Sequence, residues 1–129
     1  MRSYVLPYIA LTGFLFTGWH PLAAQTRDRD HDWDRAHHVI EKAHEDVRRI
    51  EHHDAWTVTD RGHYEAAERN LADVRHDLDQ NRLDRNRLDQ AIAEIENIAH
   101  VDALDRHARE RLAEDIRELR RLRDDWHWR

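Results

Sequence analysis

Trp33-Asp34-Arg35-Ala36-His37-His38-Val39-Ile40-Glu41-Lys42-Ala43-His44-Glu45-Asp46-Val47-Arg48-Arg49-Ile50 carries apolar residues at 33, 36, 40, 43, 47 and 50. The spacings are 3, 4, 3, 4, 3, so all six fall on one face of a helix and form a heptad-like seam. Charged and histidine side chains fill the remaining positions, as expected of a helix with one wet face. This reading predicts a first helix that begins near Asp32, a good N-cap, and ends near His53-Asp54.

The same rhythm continues downstream. Tyr64, Ala67, Leu71, Val74 and Leu78 repeat the 3, 4, 3, 4 spacing. They predict a second helix from Asp60 to about Asp79, after a connection at 55–59 that contains Trp56, Thr57, Val58 and Thr59, poor helix formers together. Asn81-Arg82-Leu83-Asp84 and Asn86-Arg87-Leu88-Asp89 form a small tandem repeat. Its five-residue offset suits a helix start. Asp84 is the N-cap, and Leu83 and Leu88 pack across it as a hydrophobic staple. A third helix then carries Leu88, Ile92, Ile95 and Ile98 or Ala99 inward and ends near His100. A second cap at Asp102 or Asp105 opens a fourth, with Ala108, Leu112, Ile116, Leu119, Leu122 and Trp126 on its seam. Glu45–Arg49, Glu65–Arg69 and Asp105–Arg109 are i, i+4 acid-to-base pairs on exposed faces.

No segment alternates with period two, and after residue 24 the chain has no proline and only Gly62 as glycine. The expected fold class is therefore all-α: a small antiparallel bundle of four short helices, with short connections joining neighbours. The seams are narrow and rich in alanine, so the core is thin for one domain. Val39, Val58 and Val101 are left over as apolar residues that could meet a second copy of the chain.

The N-terminus reads as a targeting segment rather than as part of the bundle. Met1-Arg2-Ser3 is positive, Val5 to Phe16 is apolar, and Leu22-Ala23-Ala24 supplies small residues before Gln25. This is the pattern of a secretory signal peptide, residues 1–24, cut between Ala24 and Gln25. The alternative, an uncleaved anchor, needs about 20 apolar residues, more than the run offers. Polar residues 25–31 follow as a flexible leader, and 32–129 form the helical domain. The expected destination is periplasmic or secreted, and without cysteine the product is not a lipoprotein.

Composition narrows function by exclusion. The chain has 27 acidic and 21 basic residues and no cysteine. Arg2 is the only charge before residue 25, so the mature chain carries a net charge of −7 with histidine neutral. An acidic chain has no overall attraction to nucleic acid or anionic membrane. The Arg117, Arg120, Arg121 and Arg123 group is interleaved with Glu114, Glu118, Asp124 and Asp125, so it is not a basic patch. It also suits the negative end of a helix dipole. Disulfides, thiolate metal sites and cysteine nucleophiles are excluded. Serine is absent after residue 3, the threonines are scattered, and no phosphate loop or H-E-x-x-H occurs. The chain reads as non-enzymatic, with no catalytic residue and no bound cofactor beyond a divalent metal. Lys42 is the only lysine among the basic residues, a bias that a GC-rich genome explains.

Two features bear on binding. Six of the twelve histidines lie in or beside the first helix: His31, His37, His38, His44, His52 and His53. Glu41-x-x-His44 has the Glu-x-x-His spacing of di-metal bundles, but Glu41 lies off the seam and His44 only flanks it. His37 with Glu41, or Glu41 with His44, could chelate a divalent metal from the surface, and His52-His53-Asp54 could add a second stretch. The second feature is the tail Asp124-Asp125-Trp126-His127-Trp128-Arg129. Tryptophans at i and i+2 cannot share one seam. Trp126 closes the bundle end against Trp33 or Trp56, and Trp128 is the one offered to a partner. A protein partner or a homodimer is expected, with Trp126 and Trp128 as contact residues.

His63-Tyr64-x-x-Ala67-x-x-x-Leu71, Leu83-Asp84-x-x-x-Leu88-Asp89-x-Ala91-Ile92-x-x-Ile95 and Leu112-x-x-Asp115-Ile116-x-x-Leu119-x-x-Leu122 together resemble a group of small exported helical proteins of unknown function from soil bacteria. The resemblance covers residues 60–123, implies an exported all-helical fold and carries no catalytic motif. In size, export and charge the chain is also similar to periplasmic helical stress chaperones and metal-resistance proteins. It lacks the Leu-Thr-x-x-Gln motif of the chaperones, so this likeness is architectural only.

Overall fold

Apolar seams at helical spacing have to meet one another to leave water, and in the computed structural model of the protein they do. The structure describes residues 20–50 and 56–128, with side chains described from Asp28. It contains four helices, α1 (His20–Arg49), α2 (Val58–Asp79), α3 (Arg85–Ala99) and α4 (Arg106–Asp125), and no strand among the described residues. The fold is all-α. Asp32–Arg129 form one packed unit.

Every expected seam residue of α1 and α2 is buried, except Trp33, which is half-buried against the core. Leu88, Ile92, Ile95 and Ile98 of α3 join them, as do Ala108, Leu112, Ile116, Leu119 and Leu122 of α4. Full burial of one such leucine or isoleucine is worth about 1.5–3 kcal/mol, so this single apolar cluster dominates stability.

Ion pairs cross each seam and reveal the direction of its helices. Glu41–Arg75 and Arg48–Glu68 join α1 to α2, at 3.3 and 3.5 Å. His63–Glu94 and Asp77–Arg87 join α2 to α3, both at 2.9 Å. Asp89–Arg123 (3.2 Å) and Glu96–Arg120 join α3 to α4. Arg35–Asp125 (3.3 Å) and Lys42–Asp115 (2.8 Å) close the ring from α1 to α4. In each case the numbering rises on one helix as it falls on the other, so neighbouring helices are antiparallel all round the bundle. Exposed pairs contribute little energy, about 0–1 kcal/mol each. Their order suits this arrangement of neighbours.

The helix ends show where sequence and structure part. α1 does not begin at Asp32. It is helical from His20, so the stretch 25–31 expected as a flexible leader is helical, with exposed side chains at 28–31. A nucleated helix extends at one hydrogen bond per residue fixed and needs no cap to continue. α1 also ends at Arg49, earlier than expected, and His52-His53-Asp54 lie outside the described residues. The signal reading rests mainly on residues 1–19, which are also outside them. α2 starts two residues early: Thr57 accepts the Asp60 amide at 3.1 Å and Asp60 accepts the Thr57 amide at 3.4 Å. This capping box draws Val58 and Thr59 into the first turn.

α2 stops in a Schellman turn, with Asn81 N–H bonded to Leu78 O and Arg82 N–H to Asp77 O. That turn needs a left-handed residue, and Asn81 supplies it at φ 57°. Asp84 caps α3 as expected, accepting the Asn86 and Arg87 amides at 2.8 and 3.2 Å. Asp84→Ala should cost about 1 kcal/mol in urea unfolding; no loss would mean that water replaces the cap. Asp105, not Asp102, caps α4. Arg109 turns away from the expected Asp105 pairing and donates to the Val101 and Leu104 carbonyls. Val39 and Val101, expected as leftover surface residues, are buried, whereas Val58 is 91% exposed.

Candidate functional site

Charged groups inside a thin core are the departure from a plain bundle. On α1, Arg35, Val39, Lys42 and Asp46 recur at spacings of 4, 3 and 4, and Arg35, Lys42 and Asp46 turn toward α4. On α4, Ala108, Leu112, Asp115, Leu119 and Leu122 follow 4, 3, 4, 3, which places a carboxyl in the middle of the seam. Asp115 is 2% exposed and Asp46 6%. Lys42 Nζ donates to Asp115 Oδ1 at 2.8 Å and lies 3.6 Å from Asp46 Oδ2. Arg49 approaches Asp46 from the surface side at 3.7 Å.

Asp46 Oδ2, beyond hydrogen-bond reach of Lys42, and Asp115 Oδ2 are both buried without a hydrogen-bond donor. A buried acceptor left without a donor is costly. One proton between the two carboxyls removes that cost, because a protonated Asp115 donates to Asp46. Burial and this hydrogen bond push Asp115 up to about 7, against the opposing pull of Lys42. Burial works against the charge of Lys42, but the hydrogen bond and charge of Asp115, with Asp46 and Glu114, hold its ammonium above the usual lysine value. The arrangement is one ammonium over a carboxyl pair that takes up a proton near neutrality.

On the opposite flank of α1, His44 is 4% exposed and its Nε2 is buried without a partner. It lies beside a hollow of about 230 Å³ between α1 and α2, lined by Glu41, His44, Glu45, Arg48 and Arg75. Burial pushes the imidazole below its ordinary value. Arg48 and Arg75 act in the same direction and Glu68 against it. His44 was expected only to flank the seam. The neighbouring helix covers it, which spacing along one helix could not indicate.

The residues expected to bind metal fare differently from one another. His37 is half-buried, Glu41 is exposed and paired with Arg75, and His44 is buried in the seam. Among the described residues, no three His, Asp or Glu side chains are grouped to hold a metal ion. Trp126 packs edge-on against Trp33 at 4.9 Å, closing the bundle end as expected. Trp128, expected as the exposed one, is half-buried. Its indole N–H donates to Arg123 O at 2.8 Å and Arg85 sits over its ring. The tail folds back because that N–H finds one of the carbonyls that the last turn of α4 leaves without a helical partner.

No protein family, characterised protein or solved structure is detectably similar to this chain. The site must therefore be read from its own chemistry. The acid pair sits inside helix packing, and what it can do is couple protonation to the fit of α1 on α4. The spacing along α4 points to Ile116 as the seam residue, and Asp115 beside it is buried as well. Two signals were present: an aspartate at a strict seam position, and the only lysine of an arginine-rich chain one helix away.

Proposed function

We propose that this is an exported, non-enzymatic helical bundle that works by contact with other proteins, and that it buffers acid stress in the cell envelope. The observation that carries the reading is the buried Lys42–Asp46–Asp115 cluster. A carboxyl that titrates near 7 inside a helix seam makes packing respond to the pH range an exported protein meets. Export rests on the signal pattern of residues 1–24. Contact with proteins rather than nucleic acid rests on the acidic charge of the chain.

The sign follows from linkage. Asp115 binds its proton more tightly when folded than at the ordinary carboxylate value, so its stabilisation is present in full below about pH 4. It is lost as the pH rises through about 7. The α1–α4 seam is tightest in acid and loosens above neutrality.

The test is protection of an aggregating client protein by the mature chain between pH 5 and 8, for wild type and Asp115→Asn. Asparagine keeps the shape and a donor toward Asp46 but cannot titrate. Protection that changes between pH 8 and 6.5 in wild type and stays flat over that range in the variant is expected. No protection at any pH, or the same pH dependence in both proteins, would overturn the reading.

A further inference from the structure

The two flanks of α1 carry opposite chemistry. Toward α4 lies an acid pair that gains from a proton. Toward α2 lies His44, an imidazole that loses by one. Around His44, α1 presents Glu41, Glu45 and Arg48, and α2 presents Glu68 and Arg75. Glu41 is bound to Arg75, Glu68 to Arg48 and Glu45 to Arg49, so each carboxylate already faces a guanidinium, and Glu68 offsets the cations around the ring only in part. A protonated His44 would be a third cation beside two guanidiniums, buried, with a donor and no acceptor. Burying a charge without a partner costs several kcal/mol, so the proton enters only if the ring reaches water. A hollow already lies beside the ring, and the buried Nε2 edge is brought into it when α1 and α2 separate there.

We infer that acid opens the bundle along one seam only: protonation of His44 frees α1 from α2, while α1 stays seated on α4 through Lys42, Asp46 and Asp115. This deepens the acid-buffering reading and rests on it for its purpose, but the motion can be tested without any client. Opening would give water access to apolar residues that α1 and α2 contribute to the shared core, among them Ile40, Ala43 and Val47 of α1 and Ala67, Leu71 and Val74 of α2. The segment joining the two helices is short, so the freed pair stays tethered. The same proton concentration that opens the α1–α2 seam tightens the α1–α4 seam, which gives the movement a direction.

The absence of native cysteine makes the test clean. A short bismaleimide can tie α1 to α2 through Arg48→Cys/Glu68→Cys, or α1 to α4 through Arg35→Cys/Asp125→Cys. The readout is binding of a dye for exposed apolar surface between pH 8 and 4.5, with helicity followed by circular dichroism. In wild type, dye binding should increase progressively as the pH falls from about 6.5 to 4.5, with helicity kept. The population of the open form should rise by about tenfold per pH unit once the ring's ordinary value is passed. The α1–α2 tie should abolish it and the α1–α4 tie should leave it. His44→Phe and the smaller His44→Leu should each remove the transition. The inference is overturned if dye binding survives the α1–α2 tie or both His44 variants, or if no transition occurs. A protein that opens as described yet protects no client would sink the proposed function and leave this inference standing.

Discussion

Lys42→Met should destabilise the bundle by about 3–5 kcal/mol at pH 8, because it leaves two buried carboxyls with no cation facing Asp115. The cost should shrink toward pH 5. There Asp115 carries its proton and its O–H donates to Asp46, so one negative charge, not two, remains to be compensated. Urea unfolding at both pH values measures the difference as a shift in midpoint at constant slope. Equal losses at pH 5 and pH 8 would show that Asp115 does not hold a proton in the folded chain. The triple replacement Lys42→Met/Asp46→Leu/Asp115→Leu makes the complementary point. Exchanging a whole buried charge cluster for apolar side chains is commonly neutral or stabilising by about 1–4 kcal/mol. The triple variant should also lose the fall in stability between pH 5 and 8. The cluster therefore costs stability above neutrality, which is what a pH-responsive seam requires.

Leu71→Ala should cost about 3–4 kcal/mol, the transfer term plus the cavity left at a fully buried position. Leu71 is 0% exposed at the middle of α2, and in a chain with so many small residues in its core each large one carries a disproportionate share. For a domain of this size each kcal/mol lowers the melting temperature by roughly 4–8 °C, so thermal unfolding resolves the effect easily. Val58→Ala is the matched control. Val58 is 91% exposed, and its truncation should move stability by no more than about 0.5 kcal/mol. A comparable loss at Val58 would mean that the residue is covered in solution by something outside this chain.

The two results would separate the layers of this fold. Leu71 measures the apolar seam that makes the bundle, and Lys42 measures the polar seam that makes it respond to protons. Neither depends on the surface ion pairs, whose individual contributions are too small to compete. Those pairs run antiparallel around the ring and suit the observed neighbours, while the core supplies the energy.

Most of the architecture was legible along the chain because an amphipathic helix announces its buried face at a fixed period. The seams of α1 to α4, the Asp84 cap and the all-α class follow from spacing and cap chemistry alone. What spacing cannot give is which flank of a seam a neighbour will cover. Asp46, Asp115 and His44 stand one position from an apolar residue, where a single helix shows only a boundary between wet and dry. Packing against α4 and α2 moved that boundary and buried all three. The same holds at the tail: the sequence showed that Trp126 and Trp128 cannot share a seam, but only the fold could bring the carbonyl of Arg123 to the Trp128 indole. Periodicity is a local property of one helix and determined the bundle. Protonation chemistry depends on what faces each group across a seam, and that was decided only when four helices closed around one core.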